Sequence, residues 1–164
     1  MIRSLENLGY KADASYPLYF YGEQLIPYHP SKDDWTKEGN MKILEIPNFA
    51  DMTVESKDQY GRDRDQWPKF RTESAEKLMI HIRNHINYVK NKGLPVVLCF
   101  YFHPWEFVEI PKGPIRVSPK GSVLPDEYTI KNCGDYVLAQ LEKLIDYLKS
   151  MGVVFMEARE LAEK

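Results

Sequence analysis

The sequence predicts an α/β fold, with helices packed outside parallel strands that form an open sheet or part of a barrel. Three observations carry that prediction. Residues 94–107 read LPVVLCFYFHPWEF, and the run opens almost without polar atoms, as a strand covered on both faces does. Two segments with apolar residues at helical spacing flank it, at 74–91 and from about 132 to 150. Each of these helices leads into a short apolar stretch, the βαβ rhythm that places strands parallel and helices outside.

The elements follow in order. Ile2, Leu5 and Leu8 share a helical face closed by Gly9, so the chain opens on what looks like the tail of a helix. Residues 10–15 form a short strand with Asp13 among small and aromatic neighbours, an acid that needs a partner or solvent. The stretch 16–30 is rich in Tyr, Phe and Pro, with a turn at Gly22, and suits an irregular surface segment or hairpin. Residues 41–46 alternate as a second strand stopped by Pro47 and Asn48.

The best helix is 74–91, with Leu78, Ile82, Ile86 and Val89 as its buried stripe, Thr72 or Ser74 as cap, and Lys90, Lys92 and Gly93 at its end. After the central strand, 108–125 holds four prolines and two glycines and is expected to be a long loop. A second helix starts at Asn132 or Asp135, buries Val137, Leu141, Leu144, Ile145 and Leu148, and ends at Gly152. Residues 153–156 make a last strand and 158–163 a closing helical turn.

Composition narrows the function. A chain of 164 residues suits one domain spanning 1–164, and 43% hydrophobic with 28% charged residues is ordinary for a globular protein. A net charge of -2 without a basic tract argues against nucleic acid as a partner, and the longest apolar run is too short to span a membrane. The aromatic content, 13% with 11 Tyr and 3 Trp, supplies faces that could stack on sugar rings or bury a partner. Cys99 and Cys133 resemble neither a metal pair nor a disulfide framework.

Three stretches invite chemical readings. His103 leaves the apolar run beside Pro104 and Trp105, where an α/β enzyme keeps its catalytic loops, although a histidine there is ordinarily a hydrogen-bonded structural residue. His81 and His85 lie four apart on the helix 74–91, the spacing at which two imidazoles share a metal, but no third ligand is evident and no metal ligand is assigned. The acidic stretch 51–67 reads as a solvated loop. Taking Gly61 as an EF-hand glycine would put Trp67 where the bidentate Glu belongs.

The segments LENLGYKADASYP, NKG, VVLCFYFHPWEF and LKSMGVVFMEARELAE together resemble the polysaccharide deacetylases, carbohydrate esterases with a NodB-like domain. The likeness covers the C-terminal half of that domain. It implies a partial (β/α) barrel of mainly parallel strands and a hydrolase of N-acetyl groups on amino-sugar polymers. Such enzymes use a divalent metal held by one Asp and two His, a second Asp as base, and a late His as acid. His103 matches the late histidine by position and context, and Asp13 is the best match to the carboxylate that orients and charges it. Trp105, Tyr16 and Tyr19 are the aromatic residues expected near the sugar.

The departures are also informative. Tyr16 and Pro17 stand where the family usually has a tryptophan after that Asp. The TFDDG-type stretch and the HxxxH pair are missing, and His81 and His85 come too late in the chain to replace the pair. The resemblance therefore implies that Met1 falls inside a longer domain, which leaves localisation open. It also implies that the metal belongs to the complete family domain rather than to this chain. A homodimer or a complementary chain would cover the open half of the barrel. The alternatives are a non-catalytic carbohydrate-binding or assembly module and, last, a metal protein built on His81 and His85.

Overall fold

The computed structural model describes residues 1–119 and 121–164. In chain order its elements are α1 (Ile2–Asn7), β1 (Ala12–Asp13), α2 (Leu18–Tyr21), β2 (Leu44–Glu45), α3 (Lys69–Thr72), α4 (Ala75–Lys90), β3 (Ile115–Ser118), β4 (Gly121–Val123), α5 (Glu127–Ile130), α6 (Asp135–Ser150) and α7 (Ala158–Ala162). Short 3-10 turns lie at Arg62–Arg64 and Pro104–Phe107. The chain is mixed α/β and divides into two compact units. The first comprises Met1–Trp67, His81–Tyr101 and Val154–Lys164, and the second Pro68–Ile80 and Phe102–Val153.

In the first unit β1 and β2 pair in parallel, Ala12 opposite Leu44 and Asp13 opposite Glu45. Tyr28 bridges the other edge of β2 in antiparallel sense. Tyr16, Leu18, Tyr28 and Ala50 form one buried cluster, and Ile2, Met41 and Ile43 form another. The stripe expected of α4 is buried as its spacing demands: Leu78, Ile82 and Val89 are wholly enclosed and Ile86 nearly so. Gly61 is required by its backbone, since φ is +71° and a Cβ would lie 2.1 Å from the Tyr19 carbonyl oxygen.

The second unit is built on α6, whose Val137, Leu144 and Leu148 are buried as expected, while Leu141 and Ile145 of the same stripe are half-buried. Gln140 is buried among them because its Oε1 accepts the free N–H of Ala75 at 2.9 Å, closing the start of α4 across 65 residues of chain. Ser74 adds the local cap, its Oγ accepting from Lys77 N–H at 3.3 Å.

Three expectations about strands are corrected. Residues 94–101 join no sheet ladder, and Val96 to Phe100 are half-buried rather than covered on both faces. Their cross-chain backbone link is Phe49 N–H to the Cys99 carbonyl at 2.8 Å. Residues 153–156 are likewise no strand, with Val154 73% and Phe155 53% exposed. An apolar run becomes a buried strand only when hydrogen-bonding neighbours and covering helices meet it, and local pattern does not encode their presence. Conversely, 108–125 is not all loop. Ile115–Ser118 and Gly121–Val123 pair as an antiparallel hairpin. Among the described residues the sheets are two pairs of strands, and none closes into a barrel.

Candidate functional site

His103 sits at the entry of the Pro104–Phe107 turn in extended conformation, φ -99° and ψ 135°. Pro104 pre-sets the first turn position, and Glu106, three residues on, reaches back so that its Oε2 accepts the His103 backbone N–H at 2.9 Å. This reciprocal closure explains why HPWE folds locally as it does. The same Oε2 lies 3.7 Å from His103 Nδ1, within ion-pair range but beyond a good hydrogen bond. The imidazole remains 48% exposed and stacks on Trp105, the ring centroids 5.2 Å apart.

Glu106 itself is wholly buried, and its other oxygen accepts from Arg71 Nε at 2.9 Å. Arg71 is 3% exposed, and its Nη1 donates to the carbonyls of Tyr128, Thr129 and Lys131 at 3.1, 3.1 and 2.7 Å. The guanidinium also lies over the rings of Trp105, at 5.5 Å, and Tyr128, at 5.8 Å. A buried carboxylate therefore stands beside a half-exposed imidazole, its charge matched by a guanidinium that satisfies three open carbonyls. The arrangement presents the exposed edge of the imidazole to solvent beside a buried carboxylate.

Of the residues in this cluster, sequence reasoning singled out His103 and Trp105 but not Glu106 and Arg71. Glu106 had a legible signal, an acid at the third position of a turn opened by Pro104. Arg71 had none, because 35 residues separate it from its partner.

Asp13, the carboxylate expected to orient His103, belongs to the first unit and His103 to the second. Asp13 Oδ1 accepts from Ser15 Oγ at 3.0 Å, and the side chain lines a cleft of about 430 Å³ together with Ser15, Arg3, Lys32 and Trp35. Tyr16 does not present a face to solvent. It is wholly buried, in ring contact with Tyr28 and Trp35, because the turn after β1 drives it into the core. Tyr19 is half-buried against the same cluster.

His81 and His85 face different partners. His81 Nδ1 is 2.7 Å from Asp51 Oδ2, which also accepts from Asn84 at 3.0 Å. Burial pushes the Asp51 carboxyl up, but bonds from Thr53, Asn84 and His81 outweigh it and hold the group below its usual range. His85 is buried, and its Nδ1 lies 3.0 Å from the Ala50 carbonyl, so that nitrogen carries the proton. Burial pushes the imidazole down, toward the neutral form. Among the described residues no three His, Cys, Asp or Glu side chains are grouped to hold a metal.

Searches against family models, curated proteins and solved structures returned no match for this chain.

Proposed function

We propose that this chain carries the acid half of a polysaccharide deacetylase-like hydrolase, acting on N-acetyl groups of an amino-sugar polymer. One observation supports it above the others: His103 leaves the HPWEF turn half-exposed beside a fully buried, cation-matched carboxylate. In this reading water adds to the acetyl carbon and His103 donates its proton to the amine nitrogen as the C–N bond breaks, releasing acetate and the free amine, after which the imidazole is reprotonated from solvent. Glu106 holds the imidazole in place through its backbone and balances its charge. Trp105 offers a ring beside the leaving sugar, and Asp13 remains the family's candidate for a second carboxylate. In this reading the divalent metal belongs to the complete family domain, and among the described residues no three His, Cys, Asp or Glu side chains are grouped to hold one. Turnover is therefore expected in an assembly that provides the other half of the reaction.

The partial barrel belongs to the same proposal. The exposed apolar residues Val154, Phe155 and Met156 are where a complementary chain or a second copy would add strands. In an assembly that releases acetate from N-acetylated oligosaccharides, His103→Ala should lower turnover by roughly 10²- to 10⁴-fold while circular dichroism stays unchanged. Unchanged turnover would remove His103 from the mechanism.

A non-catalytic carbohydrate-binding module is the second reading, favoured by Phe20 and Tyr60, which are stacked at 6.2 Å with each ring about half exposed. Saturable glycan binding lost in Tyr60→Ala, with no acetate released by any assembly, would select it.

A further inference from the structure

We infer that Glu45 is a positioning residue for Asp13, the two carboxyls forming a pair that shares one proton, closed to solvent on the Glu45 side and open to the cleft on the Asp13 side. This deepens the deacetylase reading in one respect and rests on it only there: it gives Asp13 a role other than orienting His103.

The geometry starts from register. β1 and β2 run parallel with Asp13 directly opposite Glu45, so both side chains leave the same face of the strand pair. Glu45 is wholly buried. Its Oε1 accepts two backbone bonds, from Ser15 N–H at 2.8 Å and Tyr16 N–H at 2.7 Å, which ties the turn after Asp13 to β2. Its Oε2 is buried and accepts from no described donor. A buried oxygen left so is costly, and the carboxyl facing it can supply the missing bond only if one of the two groups carries a proton.

No cation is among the groups that act on Glu45, and on the cleft side Asp13 has Arg3, Lys32 and Asp33 as neighbours. The ionisable groups that feel Glu45 are Asp13 on β1, the Tyr28 hydroxyl at the other edge of β2 and the Cys99 thiol from residues 94–101, and each is acidic or neutral. Burial accordingly pushes Glu45 up to about 7, with the Tyr16 N–H opposing and Asp13 adding to the rise. With Glu45 enclosed and Asp13 beside it, the pair keeps one proton between its carboxyls. Asp13 then shows the cleft a group able to donate or accept a hydrogen bond, beside Ser15 and the Trp35 ring. Glu45 holds that group in position through the Ser15 and Tyr16 amides.

The test is carbon-detected NMR of the carboxyl groups in the full 164-residue chain across pH 4 to 9. The Glu45 carboxyl should titrate near 7. In Asp13→Asn the Glu45 midpoint should fall while staying above 4.5, because burial is the larger cause. In Glu45→Gln, whose amide oxygen can keep both backbone bonds, the step near neutral pH should vanish. Should Glu45→Gln fail to fold, Asp13→Asn alone decides. A Glu45 midpoint at the ordinary 4.5, or one that Asp13→Asn leaves in place, overturns the inference. The measurement reads the carboxyls themselves, so its failure is distinct from an absence of acetate release, which would count against the deacetylase reading.

Discussion

Two buried carboxylates in this protein, Glu106 and Glu45, are both wholly enclosed yet are treated in opposite ways. Glu106 meets a guanidinium and one backbone N–H. Glu45 receives two backbone N–H groups, no cation and a second carboxyl beside it. Burial alone therefore does not set the state of a carboxyl. The identity of the partner decides: Glu106 has a guanidinium against it, while a second carboxyl beside Glu45 favours a bound proton there.

The largest expected effect comes from breaking the first arrangement. Arg71→Met leaves Glu106 buried without its cation and opens three carbonyls, and it should cost about 3 to 5 kcal/mol in urea denaturation. If the loss is under about 1 kcal/mol, Glu106 is not held by that pair. Adding Glu106→Leu to Arg71→Met should recover part of the loss, because an apolar pair has no charge left to desolvate. A double variant as unstable as the sum of the two singles would show that Arg71 acts through the carbonyls instead.

The second arrangement predicts a dependence on pH. The folded Glu45 holds its proton up to about 7, whereas the ordinary value is 4.5, so the folded state binds more protons between these limits. The associated stability is fully present below about 4.5 and is lost as pH rises through about 7. Wild type should lose on the order of 3 kcal/mol across that window from this group. Glu45→Gln should flatten the decline and match or exceed wild type at pH 8. An unchanged slope in the variant would assign the decline to other groups.

The smallest effect sharpens the contrast. His103 is half exposed and 3.7 Å from Glu106, so His103→Ala should change stability by no more than about 1 kcal/mol. A larger loss would mean that the imidazole, and not only Arg71, keeps Glu106 in place.

Much of this was legible in the chain. The α4 stripe and its Ser74 cap, the α6 stripe and the bracketing glycines are local patterns, and period 3.6 encodes them within one segment. His103 was legible from its position, and Glu106 could have been from the turn box. The apolar run 94–101 misled, since its composition suits a covered strand while its ladder depends on neighbours elsewhere. Tyr16 misled for a similar reason: an aromatic-rich stretch looks like surface until a core is assembled around it.

Sequence by itself determined the mixed α/β class, the two long helices and the HPWEF turn, because each depends on spacing and conformational preference within a few residues. Only the tertiary structure decided which acid met which partner. Arg71 reaches Glu106 over 35 residues and Glu45 stands opposite Asp13 across a parallel register, and electrostatic energy depends on those through-space distances, which no local pattern records.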